Sequence, residues 1–164
     1  YIVAVHVPTA GMAFAPLLFG WPLVLFPLHI VFLEFVIDPA CSIAYEAEPS
    51  DARTMGRPPR APGARLFDAR MLWSSVALGA MVLGAVLALY AWALHAGRVE
   101  VEARTIAFAA IVIGNLALIF ACRPTLTARN AALWWIVAGA VAALAVAIYW
   151  PPAAALFHFA PLGV

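Results

Sequence analysis

Glu34 and Asp38 stand four residues apart inside a long apolar run. On a helix that spacing brings both carboxylates to one face. A charged carboxylate in lipid costs at least ~2.5 kcal/mol, so each acid needs a reason to be there. Two on one face repel each other unless a proton or a metal cation lies between them. Pro39 follows Asp38 directly, and proline has no amide hydrogen, so a carbonyl in the preceding turn loses its helical donor. Two carboxylates beside a freed carbonyl make a hard-oxygen site for a metal cation or a hydronium, with Glu34 and Asp38 as the metal ligands. The plainer alternative is one protonated acid hydrogen-bonded to a neighbouring helix.

Neighbouring apolar runs supply partners. His6 and Thr9 lie three apart, with Pro8 between them loosening the same turn. His6 is either a further cation ligand or a neutral imidazole bonded across helices. Asn115 is the one amide in an otherwise apolar run and is either a ligand from a third helix or an interhelical hydrogen-bonding group. His29 comes one turn before Glu34, nearer the outer end, and reads as an access-path group or an interfacial residue. Cys41 and Cys122 are too few and too distant for a disulfide framework or thiolate cluster, and each reads as a small packing residue.

The elements that must hold these groups follow from composition. Of 164 residues, 66% are hydrophobic and 10% charged, and the mean hydropathy is +1.01. Soluble domains average about 45–50% apolar and about 25% charged, so most of this chain has lipid as its solvent, and a soluble enzyme is excluded. A helix needs about 20 apolar residues to cross roughly 30 Å of hydrocarbon. Five runs qualify: 1–19, 23–45, 72–94, 103–122 and 131–150. The predicted fold is therefore all-α, a polytopic transmembrane bundle of about five helices. Ala80 and Gly84, and Gly139 and Ala143, stand four apart and predict close helix contacts. Trp134, Trp135, Tyr149 and Trp150 mark the two ends of the last run as an interfacial aromatic belt would.

Short turns at Gly20-Trp21-Pro22 make the first two spans an antiparallel hairpin. All nine basic residues are arginine; seven (53, 57, 60, 65, 70, 123 and 129) fall in the 46–70 and 123–130 loops, against Arg98 and Arg104 in the loop between the third and fourth spans. That bias places the arginine-rich loops, and the start of the first span, in the cytoplasm. Tyr1 has no basic stretch before its apolar run, which reads as a chain entered in mid-helix rather than as a signal peptide. Pro151 and Pro152 end the fifth span, leaving an external tail too short to cross. Three regions result: a hairpin over 1–45 carrying the cation site, an arginine- and proline-rich cytoplasmic loop over 46–70, and three further spans with an external stub over 71–164.

Phe26-Pro27-Leu28-His29-Ile30-Val31-Phe32-Leu33-Glu34-Phe35-Val36-Ile37-Asp38, then Glu48-Pro49 and Met55-Gly56-Arg57-Pro58-Pro59-Arg60, resembles the P-type cation-transporting ATPases. The likeness is to calcium-pump-like members and their bacterial relatives, over membrane helices five to nine, and 157–162 is similar to the external loop before their last helix. It implies that helices five, six and eight help to hold a transported cation. Where calcium pumps carry Asn-x-x-Glu on helix five, this chain has His6-x-x-Thr9; where helix six shows Asn-x-x-Thr-Asp, it has Glu34, Ile37 and Asp38. The acidic position of helix eight falls near Gly114, beside Asn115. These departures leave calcium, a proton and other divalent cations all open.

The resemblance implies the C-terminal membrane part of an ATP-driven cation pump in a bacterial plasma membrane. The chain has no lysine, and so no Asp-Lys-Thr-Gly phosphorylation motif, and it is not expected to hydrolyse ATP alone. ATP and Mg2+ would belong to cytoplasmic domains of a longer parent, and the chain itself needs no cofactor. Its expected partners are the bilayer, the cation, and the parent's earlier helices and cytoplasmic domains, but not nucleic acid. Arginines of the 46–70 loop would meet the phosphorylation domain or anionic headgroups, or merely form a solvated connector. The alternative is a small stand-alone membrane protein, a channel subunit or structural partner without ATPase activity.

Overall fold

A computed structural model describes residues 1–47, 56, 68–123 and 130–161, without the side chains of 40 and 41. Much of the 46–70 loop, including Arg53, Arg57, Arg60 and Arg65, lies outside the described residues, as do Arg129 and residues 162–164. The described residues contain helices and turns and no strand. In chain order they form α1 (Ile2–Phe19), α2 (Pro27–Phe32), a π-helical turn (Leu33–Ile37), α3 (Asp38–Glu46), α4 (Ala69–His95), α5 (Glu100–Cys122), α6 (Ala131–Tyr149) and α7 (Pro151–Phe157). α2, the π turn and α3 run as one 20-residue span, and with α1, α4, α5 and α6 they make five helices long and apolar enough to cross a bilayer.

The hairpin link is longer than expected. α1 ends at Gly20, whose φ of 69° is a conformation glycine adopts without penalty, and α2 begins only at Pro27. Pro27 sits in the first helical turn, where its missing N–H costs nothing. The chain over 21–26 is instead held from outside, for example by the Tyr90 hydroxyl of α4, which donates to the Pro22 carbonyl at 2.8 Å.

α5 is the central helix: half of its apolar window is buried, against a third or less for the others. It packs on α4 and α6 and touches α1, while α4 lies along α1. Up-and-down order is fixed by contacts at the ends. At one end Tyr1 meets Tyr45, Tyr45 donates to the Ile119 carbonyl at 3.3 Å, and Asn130 caps α6 through Leu133 N–H while donating to the Ala44 carbonyl at 2.8 Å. At the other end the 21–26 link, the start of α5 and the segment after α6 converge.

Helix approach uses other small residues than the sequence suggests. A Cβ on Gly84 or Gly139 would meet nothing within 4 Å, and Ala80 is exposed. Gly79 faces α1 instead: a Cβ there would sit 2.5 Å from the Ala4 carbonyl oxygen and 2.7 Å from Val7 Cβ. Ala4 O is the carbonyl whose α-helical donor would have been the amide of Pro8, so the proline and the facing glycine bring the two backbones together. Gly11 against Leu83 continues this seam, and Gly114 against Val82 brings α5 close to α4. One position along a helix is a rotation of 100°, enough to turn the expected Ala80 face away from its neighbour.

The tail after α6 is also structured. Trp150 bends the chain, and Pro151 and Pro152 open α7 as its first residues rather than only ending α6. Trp134, Trp135, Tyr149 and Trp150 are exposed at the two ends of α6, as an interfacial belt requires. Cys122 is free and half-buried at the end of α5, beside a cavity of about 650 Å³ lined also by Tyr1, Tyr45 and Ser75.

Candidate cation site

His6, Glu34 and Asp38 come together from two spans. Each offers one ligand atom, and the three atoms lie within 4.8 Å of one another. Nε2 of His6 stands 3.7 Å from Oε1 of Glu34, too long for a hydrogen bond. Nδ1 of His6 is 2.8 Å from the Ile2 carbonyl. A carbonyl only accepts, so Nδ1 carries a proton and donates it there, leaving Nε2 as the ring nitrogen that faces Glu34.

The helix bearing the two acids is deformed between them. Asp38 N–H reaches back five residues to the Leu33 carbonyl, the bond of a π turn rather than of an α-helix. In that register the next bond would run from residue 39 to the carbonyl of Glu34, but residue 39 is proline. In the π register, the carbonyl that Pro39 leaves without its amide donor is that of Glu34. Single π turns inside helices recur at functional sites.

The cluster is open on one side. His6 and Glu34 keep half and over a third of their side-chain surface exposed, and a groove of about 400 Å³ along Ile2, Val3, His6, Val7 and Ala10 runs beside it. An imidazole and a carboxylate facing lipid would be costly, so this face is one that further protein or water must cover.

Thr9 and Asn115 differ in what they offer. The Thr9 hydroxyl donates back to the Val5 carbonyl at 3.1 Å, which spends its proton within α1. Asn115 is buried in α5, and its Oδ1 has no hydrogen-bond partner among the described residues. Leu118, three residues on and so on the same side of α5, packs against Ala4 and Val5 of α1. Asn115 thus faces α1, one turn from that contact.

A second polar cluster lies at the opposite end, and its chief member, Arg104, was assigned by sequence to a loop. It is the second buried residue of α5, only 4% exposed. Its guanidinium donates to Leu23 O at 3.1 Å and to His158 O at 3.5 Å, pairs with Glu100, and lies 4.5 Å over the Phe26 ring. His29 is buried beside it: Nδ1 accepts from Phe26 N–H at 3.0 Å, and Nε2 donates to Phe157 O at 2.7 Å. Its ring stacks on Phe159 at 4.8 Å, and Thr105 Oγ1 accepts from Ala160 N–H at 3.1 Å. Neither an access path nor an exposed interface describes His29; it ties α2 to the segment after α6. The Glu100–Arg104 spacing of four and the Phe157-His158-Phe159 run were the signals of this knot in the sequence.

The five apolar helices are those of an integral, multi-pass membrane protein, and the partly exposed cluster of two carboxylates and an imidazole at a break in one of them is the candidate cation site. The family described as "Cation transporting ATPase, C-terminus" matches residues 22–164, so the chain belongs to it, as a C-terminal membrane region of the P-type ATPases. A "Calcium-transporting ATPase" of Bacillus subtilis is 27% identical over 165 residues, covering 96% of this chain and 18% of that protein. A "Probable cation-transporting ATPase F" of Mycobacterium bovis is 28% identical over 153 residues, covering 88% of this chain and 17% of its own length, and one of Mycobacterium tuberculosis matches equally. The chain spans less than a fifth of the relatives it matches.

Proposed function

We propose that this chain forms part of the cation path of a longer, ATP-driven pump in a bacterial plasma membrane. Glu34 and Asp38 are its anionic ligands, His6 joins them from the neighbouring helix, and the Thr9 hydroxyl oxygen and the Asn115 carbonyl are neutral oxygens available to the same path. The observation that carries this reading is the convergence of three ligand atoms from two spans within 4.8 Å, at a break in the helix. Lipid cannot solvate such a group, and a bound cation neutralises it.

ATP and Mg2+ act on cytoplasmic domains of the parent, entering this region only as movement of its helices. The wide turn at Leu33–Ile37 is where α2 and α3 can change their relative angle and so expose the ion to one side and then the other. The end holding Tyr1, Tyr45 and Asn130 faces the cytoplasm, since Arg70 and Arg123 lie there. A stand-alone channel subunit is not favoured, because the likeness to ATPase membrane regions runs over 88–96% of the chain.

Asp38→Asn in the full-length parent tests the reading. It should abolish ion-stimulated phosphorylation from ATP while expression stays near normal, and unchanged ion dependence removes Asp38 from the site.

A further inference from the structure

Carboxylates and carbonyls are ordinary ligands for a hard cation; an imidazole is not. Ca2+ takes six to eight oxygens at roughly 2.3–2.6 Å. Imidazole nitrogen instead suits the later first-row divalent ions, which accept four or five ligands. Resting on the reading that Glu34 and Asp38 hold the transported ion, we propose that the cargo of this site is a divalent transition-metal ion of the Co2+–Zn2+ kind rather than Ca2+, with Nε2 of His6 as a nitrogen ligand.

Two features support it. The first is the direction of the ring: the 2.8 Å hydrogen bond from Nδ1 to the Ile2 carbonyl holds His6 with Nε2 turned toward Glu34. Metal-binding histidines are oriented in this way, by donating their other nitrogen to a backbone carbonyl or carboxylate. The second is fit. A tetrahedral ion about 2.1 Å from each ligand sets them roughly 3.4 Å apart, and Nε2 and Oε1 already stand 3.7 Å apart. That spacing would also admit Ca2+, so the donor element, not the distance, makes the choice.

The test is phosphorylation of the reconstituted full-length pump by ATP at buffered free Co2+, Zn2+ and Ca2+. Affinity for almost any mixed site rises along this metal series, so the order of ions in the parent does not decide the matter. What decides it is His6→Asn, which offers an amide oxygen where the imidazole nitrogen stood. The half-saturating Co2+ and Zn2+ concentrations should rise at least about tenfold, as loss of a metal ligand does, with that for Ca2+ unchanged or lowered. An equal shift for all three ions, or none, overturns the assignment of His6. X-ray absorption of the Zn2+-loaded wild-type pump gives a second measure that needs no variant. Imidazole scattering that is lost in His6→Asn supports the proposal, and a shell of oxygen alone overturns it. If Asp38→Asn abolishes ion dependence while His6→Asn leaves the ion ratio untouched, the carboxylate site stands and the choice of ion falls. If Asp38→Asn changes nothing, both fall.

Discussion

The same membrane span carries two polar clusters that obey opposite rules. At its outer end His29 is buried, and both ring nitrogens are engaged by backbone groups. Beside it the Arg104 guanidinium has two carbonyls, a carboxylate and an aromatic face. Five to nine residues further along, Glu34 and Asp38 share a histidine 3.7 Å from one of them, a wide helical turn and an open flank. Charge and hydrogen bonds are satisfied within the protein at the first cluster and left to something else at the second. Both are expensive in lipid. The completed one is therefore structural, and the incomplete one is the candidate for a ligand.

The contrast is sharpest if the two clusters are neutralised separately. The pair Glu34→Gln and Asp38→Asn, made together in the full-length parent, should reduce ion-stimulated phosphorylation at least ~100-fold, the loss expected when charge is removed from a metal site. Thermal stability in detergent should hold or improve, because two repelling carboxylates are gone. A large loss of stability without loss of ion dependence would reverse the roles assigned to the clusters.

Arg104→Met is the complementary experiment. It strands the Leu23 and His158 carbonyls, while the half-exposed Glu100 can turn to solvent, and leaving a buried acceptor unpaired costs about 1–3 kcal/mol. Folded yield and the midpoint of thermal inactivation should fall, while the ion preference of whatever protein survives stays that of wild type. A changed ion preference would mean that Arg104 belongs to the ion path.

Packing variants give smaller effects. Gly79→Ala pushes a methyl group against the Ala4 carbonyl and should destabilise by about 1–3 kcal/mol, whereas Gly84→Ala should lie within about 0.5 kcal/mol of wild type. Equal midpoints for the two in the same thermal assay would disprove the close α1–α4 approach. Smallest of the damaging changes is Tyr90→Phe, which removes one neutral hydrogen bond to Pro22 and should cost about 0.5–1.5 kcal/mol. It should leave ion dependence unchanged in the phosphorylation assay.

Legibility in the sequence followed the strength of each physical constraint. Lipid solubility imposes a run of about 20 apolar residues on every crossing, and all five helices were found with their ends displaced by a few residues. The largest shift, at the start of α2, arose because Leu23–Phe26 is apolar yet not helical, with Arg104 holding the Leu23 carbonyl and Tyr90 the Pro22 carbonyl just before it. Glu34 and Asp38 stood out because a charge in lipid demands an explanation, and the structure brings His6 to them. Arg104 was missed because the loop was read as far as Arg104, whereas α5 begins four residues earlier at Glu100. The glycines were misassigned because a spacing of four names a face without saying which neighbour it meets.

The sequence by itself determined the membrane solvent, the number of crossings and the two acids that cannot rest in lipid uncompensated, since these depend on composition and local spacing alone. Tertiary structure decided which histidine is a ligand candidate and which a tie. His6 and His29 are chemically the same side chain in similar apolar runs. Only the atoms brought to their ring nitrogens separate them: a carboxylate left at 3.7 Å for one, and backbone groups at hydrogen-bonding distance on both sides for the other.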